Sequence, residues 1–162
     1  MTDPLAVYLH DHLAGSNFAI ELLGSMRDRF RGAPLGNFAA AILPEIEQDR
    51  DVLHGIIDRA GEGHADLKEA AAWFAEKASR FKLARDKGDG LGTFEALETL
   101  ALGIEGKASL WRALFVISQQ DNRVRGTDYQ QLGKRAEAQH ARVEEQRPNV
   151  ARTALKPVAM SA

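Results

Sequence analysis

Residues 93–115 read Thr93-Phe-Glu-Ala-Leu-Glu-Thr-Leu-Ala-Leu-Gly-Ile-Glu-Gly-Lys-Ala-Ser-Leu-Trp-Arg-Ala-Leu-Phe115. Within this stretch Phe94, Leu97, Ala101, Ile104, Ala108, Trp111 and Phe115 recur at alternating spacings of three and four. That period places every one of them on one side of an α-helix, and a helix with such a stripe must bury it against other elements. Thr93, with its side-chain oxygen, is the expected N-cap.

The same period extends on both sides of this stretch. Asp3-Pro4 supplies an N-cap and a proline at the first helical position, followed by the stripe Leu9, His12, Ser16, Ala19, Leu23, Met26 and Phe30. Residues 32–36, Gly-Ala-Pro-Leu-Gly, interrupt it. A second helix is expected from near Asn37, with Ile42, Ile46, Asp49, Leu53, Ile56 and Ala60 inward and a stop at Gly61 and Gly63. Pro44 lies inside that pattern and predicts either a kink or a helix that begins there. Asp66 and Glu69 form a capping-box pair ahead of Leu67, Ala71, Phe74, Ala78 and Phe81, and residues 87–90 close that segment. Thr127 and Gln130 open the last helix, whose stripe is Tyr129, Leu132, Ala136, Gln139 and Val143. Pro148 is expected to end it, leaving residues 149–162 as an irregular tail. Sustained period-two alternation is missing throughout. The sequence therefore predicts an all-α fold, an antiparallel helical bundle of about five helices in a single domain over residues 1–148.

Composition narrows the function classes. Hydrophobic residues make up 44% and charged residues 27%, the balance of a globular chain. Cysteine is absent, which excludes disulfides, thiolate zinc sites and thiol nucleophiles. No apolar run approaches the roughly 20 residues of a bilayer span, and Met-Thr-Asp-Pro lacks the features of a signal peptide, so a cytoplasmic location is expected and no membrane partner. The net charge of −2 exerts no general pull on nucleic acid. Arg123, Arg125, Lys134, Arg135, Arg142 and Arg147 alternate with acids and lack interleaved aromatics, which reads as a solvated face and not a nucleic-acid footprint.

Bundles place chemistry on inward polar side chains. His12 and Asp49 occupy stripe positions, and Glu98, Glu105 and Arg112 repeat every seven residues along one flank of the 93–115 stripe. Lys77 and Lys107 flank their own stripes, His140 flanks the last one, and Glu45 lies one turn before Asp49. A buried carboxylate needs a cation, a metal or several donors. One solution is a core polar network in which Lys77, Lys107 or Arg112 neutralises the acids around His12, Asp49, Glu98 and Glu105. The other is a metal site drawn from Glu45, Asp49, Glu105, Glu137 and His140. The first needs nothing outside the chain and is the expected one, with no cofactor.

Residues 137–140, Glu-Ala-Gln-His, give the Glu-x-x-His unit of carboxylate-bridged di-iron sites, and Glu105 lies upstream on a neighbouring helix. Glu21 with Asp51-Val-Leu-His54 forms a degenerate second unit. On these residues the chain resembles the ferritin-like superfamily over residues 4–147. The stretches Ala72-Trp-Phe-Ala-Glu-Lys77, Arg80-Phe-Lys-Leu83, Glu95-Ala-Leu-Glu98, Gly103, Gly106-Lys107 and Leu110-Trp-Arg-Ala-Leu114 look like a group of uncharacterised bacterial ferritin-like proteins. The resemblance implies a ferritin-like four-helix core and no established activity. Glu21, Asp51 and His54 fall on the outer face, and Glu137 points away from the stripe. The expectation is accordingly a bundle without a working di-iron site, in a structural, interaction or stress-related role. The alternatives are an iron or manganese oxidoreductase or metal store, and a module binding a small apolar or anionic ligand near His12, Lys77 and Lys107. A homodimer formed through one helix face is the expected assembly. Residues 88–92 lack the strand and Lys-Ser/Thr of a phosphate loop, and no spacing suggests a nucleophilic triad.

Overall fold

A computed structural model describes residues 3–61, 76 and 90–157. Four long helices make up nearly all of it: α1 (Pro4–Arg29), α2 (Pro34–Ala60), α3 (Leu91–Ile117) and α4 (Tyr129–Ala154), with a 3₁₀ turn at Asn122–Val124. There is no strand among the described residues. The fold is an all-α bundle. The helix expected over residues 66–87, which would have been the fifth, lies outside the described residues but for the helical Glu76, and Lys77 lies outside them too.

Local chemistry sets the helix ends. The Asp3 carboxylate accepts from the Leu5 backbone N–H at 3.1 Å and Pro4 follows it, which starts α1. Gly32, at φ +80°, turns the chain toward Pro34 at the start of α2. Gly36 is required here: a Cβ on it would stand 2.0 Å from the Phe30 carbonyl oxygen. α2 therefore begins well before Pro44, which sits inside a continuous helix on the exposed side, where the missing N–H faces water. Two caps differ from the sequence reading. Gly90 precedes α3 and Thr93 is buried within it, while Asp128, not Thr127, caps α4 by accepting from the Gln131 N–H at 3.0 Å. Pro148 does not end α4, which continues to Ala154. Val150 packs on the core and Ala154 lies against Gly90, so tertiary contact holds the turns that a proline weakens.

The helices pair as two antiparallel hairpins, α1 with α2 and α3 with α4. Polar contacts fix their mutual direction. Arg123, just beyond α3, donates to Asp3 at 2.5 Å, and Arg59 near the end of α2 donates to Thr127 at 3.1 Å just ahead of α4. Along their length α2 and α4 are antiparallel, with Arg142 on Glu45 and Arg135 on Asp49. Both α2 and α3 thus run opposite to α4 and parallel to each other. The order is up-down-down-up, so the end of α2 and the start of α3 stand at opposite ends of the bundle, about 40 Å apart.

Leu9, Leu23 and Met26 of α1, Ile42, Leu53 and Ile56 of α2, Leu97, Leu100, Trp111 and Leu114 of α3 and Ala136 and Val143 of α4 fill the core. Each fully buried large aliphatic among them contributes roughly 1.5–3 kcal/mol. Trp111 stacks on Tyr129 with ring centroids 6.2 Å apart, and the Tyr129 hydroxyl donates to the Val124 carbonyl at 2.6 Å. Among the described residues no helix is long and apolar enough to cross a membrane.

Candidate functional site

The apolar interior is broken near mid-length by a polar cluster drawn from three helices. Asp49 of α2, Lys107 of α3 and Gln139 of α4 are all buried, Asp49 and Gln139 to within 1% of their surface. The stripes that bury Ile46 and Leu53, Ile104 and Ala108, and Ala136 and Val143 carry these three inward with them.

The Lys107 ammonium is the hub. Its Nζ donates to Asp49 Oδ2 and to Gln139 Oε1, both at 2.5 Å. The Gln139 amide nitrogen donates in turn to Asp49 Oδ2 at 3.2 Å and to Glu45 Oε2 at 3.3 Å. Arg135 donates to the other Asp49 oxygen and to Gln48 Oε1, the latter at 2.6 Å. Arg142 donates to Glu45 Oε1 at 2.6 Å and closes the chain of contacts toward solvent. Both oxygens of Asp49 and both ends of the Gln139 amide are used, as burial demands.

Three cations, Lys107, Arg135 and Arg142, meet two carboxylates, Asp49 and Glu45. The balance is positive by one whenever Lys107 is protonated. Burial lowers the Lys107 pKa from its ordinary value, with the adjoining Asp49 carboxylate opposing that shift, Arg135 adding to it and Glu45 opposing it. Such a closed network can hold three helices in register. It offers no water-accessible nucleophile.

The other residues picked out by sequence lie elsewhere. Glu98, Glu105 and Arg112 face solvent, because the buried arc of α3 extends toward Thr93, Leu100, Lys107 and Leu114 on the opposite flank. Arg112 donates to Glu105 at 2.7 Å and lies 3.6 Å from Glu137, while Glu98 pairs with Arg147 at 2.9 Å. Glu45, Asp49, Glu105 and Glu137 are thereby split between the centre and the surface, each on a cationic partner. His140 is half-buried on α4, and Glu21, Asp51 and His54 are exposed. Among the described residues no group of three or more His, Cys, Asp or Glu lies together so as to hold a metal ion. His12 is half-buried with its ring edge-on to Tyr8 at 4.7 Å, and burial lowers its pKa while Asp11 opposes the shift.

Four members of the cluster were not legible as site residues: Gln48, Gln139, which reads as an ordinary stripe position, and Arg135 and Arg142, which read as a solvated face. The spacing of Arg135, Gln139 and Arg142, four and three along α4, was the available signal, since it mirrors Glu45 and Asp49 one turn apart on α2. A separate open cavity of about 330 Å³ lies at the α3–α4 connection, lined by Phe115, Ser118, Arg125, Thr127 and Tyr129 among others.

Comparison with the profiles of known protein families, with curated proteins and with solved structures finds no match to this chain.

Proposed function

We propose that this chain is a ferritin-like helical bundle whose centre is closed by its own ion pairs, and that it serves a structural, interaction or stress-related role and not catalysis. Two observations support the ferritin-like reading. The helices run up-down-down-up, and a single long connection joins the two hairpins, the connectivity by which ferritin-like bundles differ from simple up-down-up-down ones.

One observation carries the functional reading: the Lys107 ammonium stands between Asp49 and Gln139 at hydrogen-bond distance from both. A di-iron or di-manganese centre requires several carboxylates around a divalent ion, with histidine nitrogen to complete the set. Here the central carboxylate already has two cations, and a further dication would sit against Lys107 and Arg135. The donor set does not fit the metal, and the lysine supplies the positive charge that the carboxylates need.

The test is elemental analysis of untagged protein from cells grown with added iron, manganese and zinc. None of the three should copurify stoichiometrically. One or two tightly held equivalents in the wild type, lost in Asp49→Ala, would overturn the proposal.

A further inference from the structure

α3 is apolar on more than its buried side. Leu102 and Val116 stand 69% and 62% exposed on its outer face, the most exposed large apolar side chains among the described residues. Between them runs an unbroken line at alternating spacings of three and four: Leu102, Glu105, Ser109, Arg112, Val116. All five are exposed.

Ser109 is the midpoint of that line. Rotating the helix end for end about Ser109 brings Leu102 onto Val116 and leaves Ser109 on itself, and it sets Glu105 one residue beyond Arg112, about 1.5 Å along the axis and within reach of the long side chains. The surface is self-complementary in both apolarity and charge. A two-fold interface has this requirement, that when residue i meets residue j, residue j also meets residue i.

We propose that two copies of this chain pair across the outer face of α3, antiparallel, with Ser109 on the two-fold axis. Each Leu102 then packs on the partner's Val116, and each Arg112 lies beside the partner's Glu105. The guanidinium is already laid along this line: it reaches Glu105 at 2.7 Å and passes Ser109 Oγ at 3.3 Å. Exchanging its own Glu105 for the partner's leaves no charge unpaired at the interface, and Glu137, 3.6 Å from Arg112, adds a second acid at each end. Nothing lies within 4 Å of where a Cβ would stand on Gly106, so the backbones can approach closely beside the axis. This pairing is independent of how the polar centre of the bundle is read.

The chain has no cysteine, so Ser109→Cys introduces a single thiol and a clean cross-linking probe. Mild oxidation should join Ser109→Cys chains into a disulfide dimer, while Asp58→Cys, exposed on α2, should remain uncrosslinked under the same conditions. Sedimentation equilibrium of the wild type should give twice the 17.8 kDa chain mass. Glu105→Arg or Arg112→Glu alone places like charges together and should weaken the dimer about tenfold or more, and the double reversal should recover most of the loss. Circular dichroism establishes that each variant remains helical. A wild type that sediments as a monomer at all micromolar concentrations would overturn the proposal. So would a dimer indifferent to both single reversals, or cross-linking no greater at residue 109 than at residue 58.

Discussion

Replacing Asp49 with alanine is the most informative single perturbation of this bundle. The carboxylate accepts from Lys107 at 2.5 Å, from Gln139 at 3.2 Å and from Arg135. Its removal leaves the buried Lys107 ammonium with the Gln139 carbonyl alone as a close acceptor. Breaking a buried pair in this way costs about 3–5 kcal/mol. In a chain of this size that corresponds to roughly 6–20 °C in Tm. Lys107→Met should be milder, because Asp49 keeps Arg135 and the Gln139 amide; the loss is about 1.5–3 kcal/mol, the worth of hydrogen bonds to a charged group. Combining Asp49→Leu with Lys107→Met removes both charges yet strands the Gln139 carbonyl oxygen, which is fully buried. Full recovery therefore needs Gln139→Leu as well, and the triple variant should return to within about 1–2 kcal/mol of the wild type. Urea unfolding followed at 222 nm measures each value. A loss below about 1 kcal/mol in Asp49→Ala, or a triple variant as unstable as that single one, would refute the reasoning. The pH dependence gives an independent check. Burial holds the folded Lys107 pKa below its ordinary 10.5, so the unfolded chain binds that proton more tightly. Between the lowered value and 10.5, this group makes stability rise with pH, and Lys107→Met should abolish that rise.

Three further outcomes are expected. Gly36→Ala should cost at least about 2 kcal/mol in urea unfolding, because the new Cβ meets rigid backbone at the α1–α2 turn and the turn itself must open. Tyr129→Phe should lower stability by about 1–2 kcal/mol, read as a Tm shift, since it leaves the buried Val124 carbonyl without its donor. The folded His12 pKa lies below 6.5, so its contribution is complete above pH 6.5 and declines as pH falls toward the lowered value; His12→Gln should flatten that part of a Tm-against-pH curve.

The helical stripes were legible because burial imposes a period on each segment without reference to its neighbours. Leu97, Ile104 and Trp111 needed only their spacing to be placed inside, and Asp49 stood out as an acid among Ile42, Ile46, Leu53 and Ile56. Helix ends were read less well. Thr93 and Thr127 are plausible caps by chemistry, but Gly90 and Asp128 hold those positions, and Pro148 is overruled by packing at Ala154 and Val150. The flank of α3 was misassigned for a related reason. A stripe one residue wide leaves two flanks equally open, and only the neighbouring helices decide that Leu100 and Lys107 go in while Glu98, Glu105 and Arg112 stay out. The arginines and the glutamine of α4 acquire their meaning solely from facing Glu45 and Asp49. The spacing of four and three along α4 marks a face that matches Glu45 and Asp49, but which helix that face meets depends on helix direction across the connection, which no local pattern encodes.

The connectivity of the central cluster also bears on when it forms. Each hairpin closes through neighbours in the chain, whereas the contacts at the centre join residues between 32 and 97 positions apart, most of them separated by more than half the described sequence. Contacts of such long range carry the largest loop-closure penalty and are expected to form after the hairpins have collapsed. Interactions absent from the folding transition state show their energy in the unfolding rate and hardly in the folding rate. Lys107 and its partners are therefore expected to act as a latch on an assembled bundle: in stopped-flow measurements Asp49→Ala should raise the unfolding rate more than it lowers the folding rate.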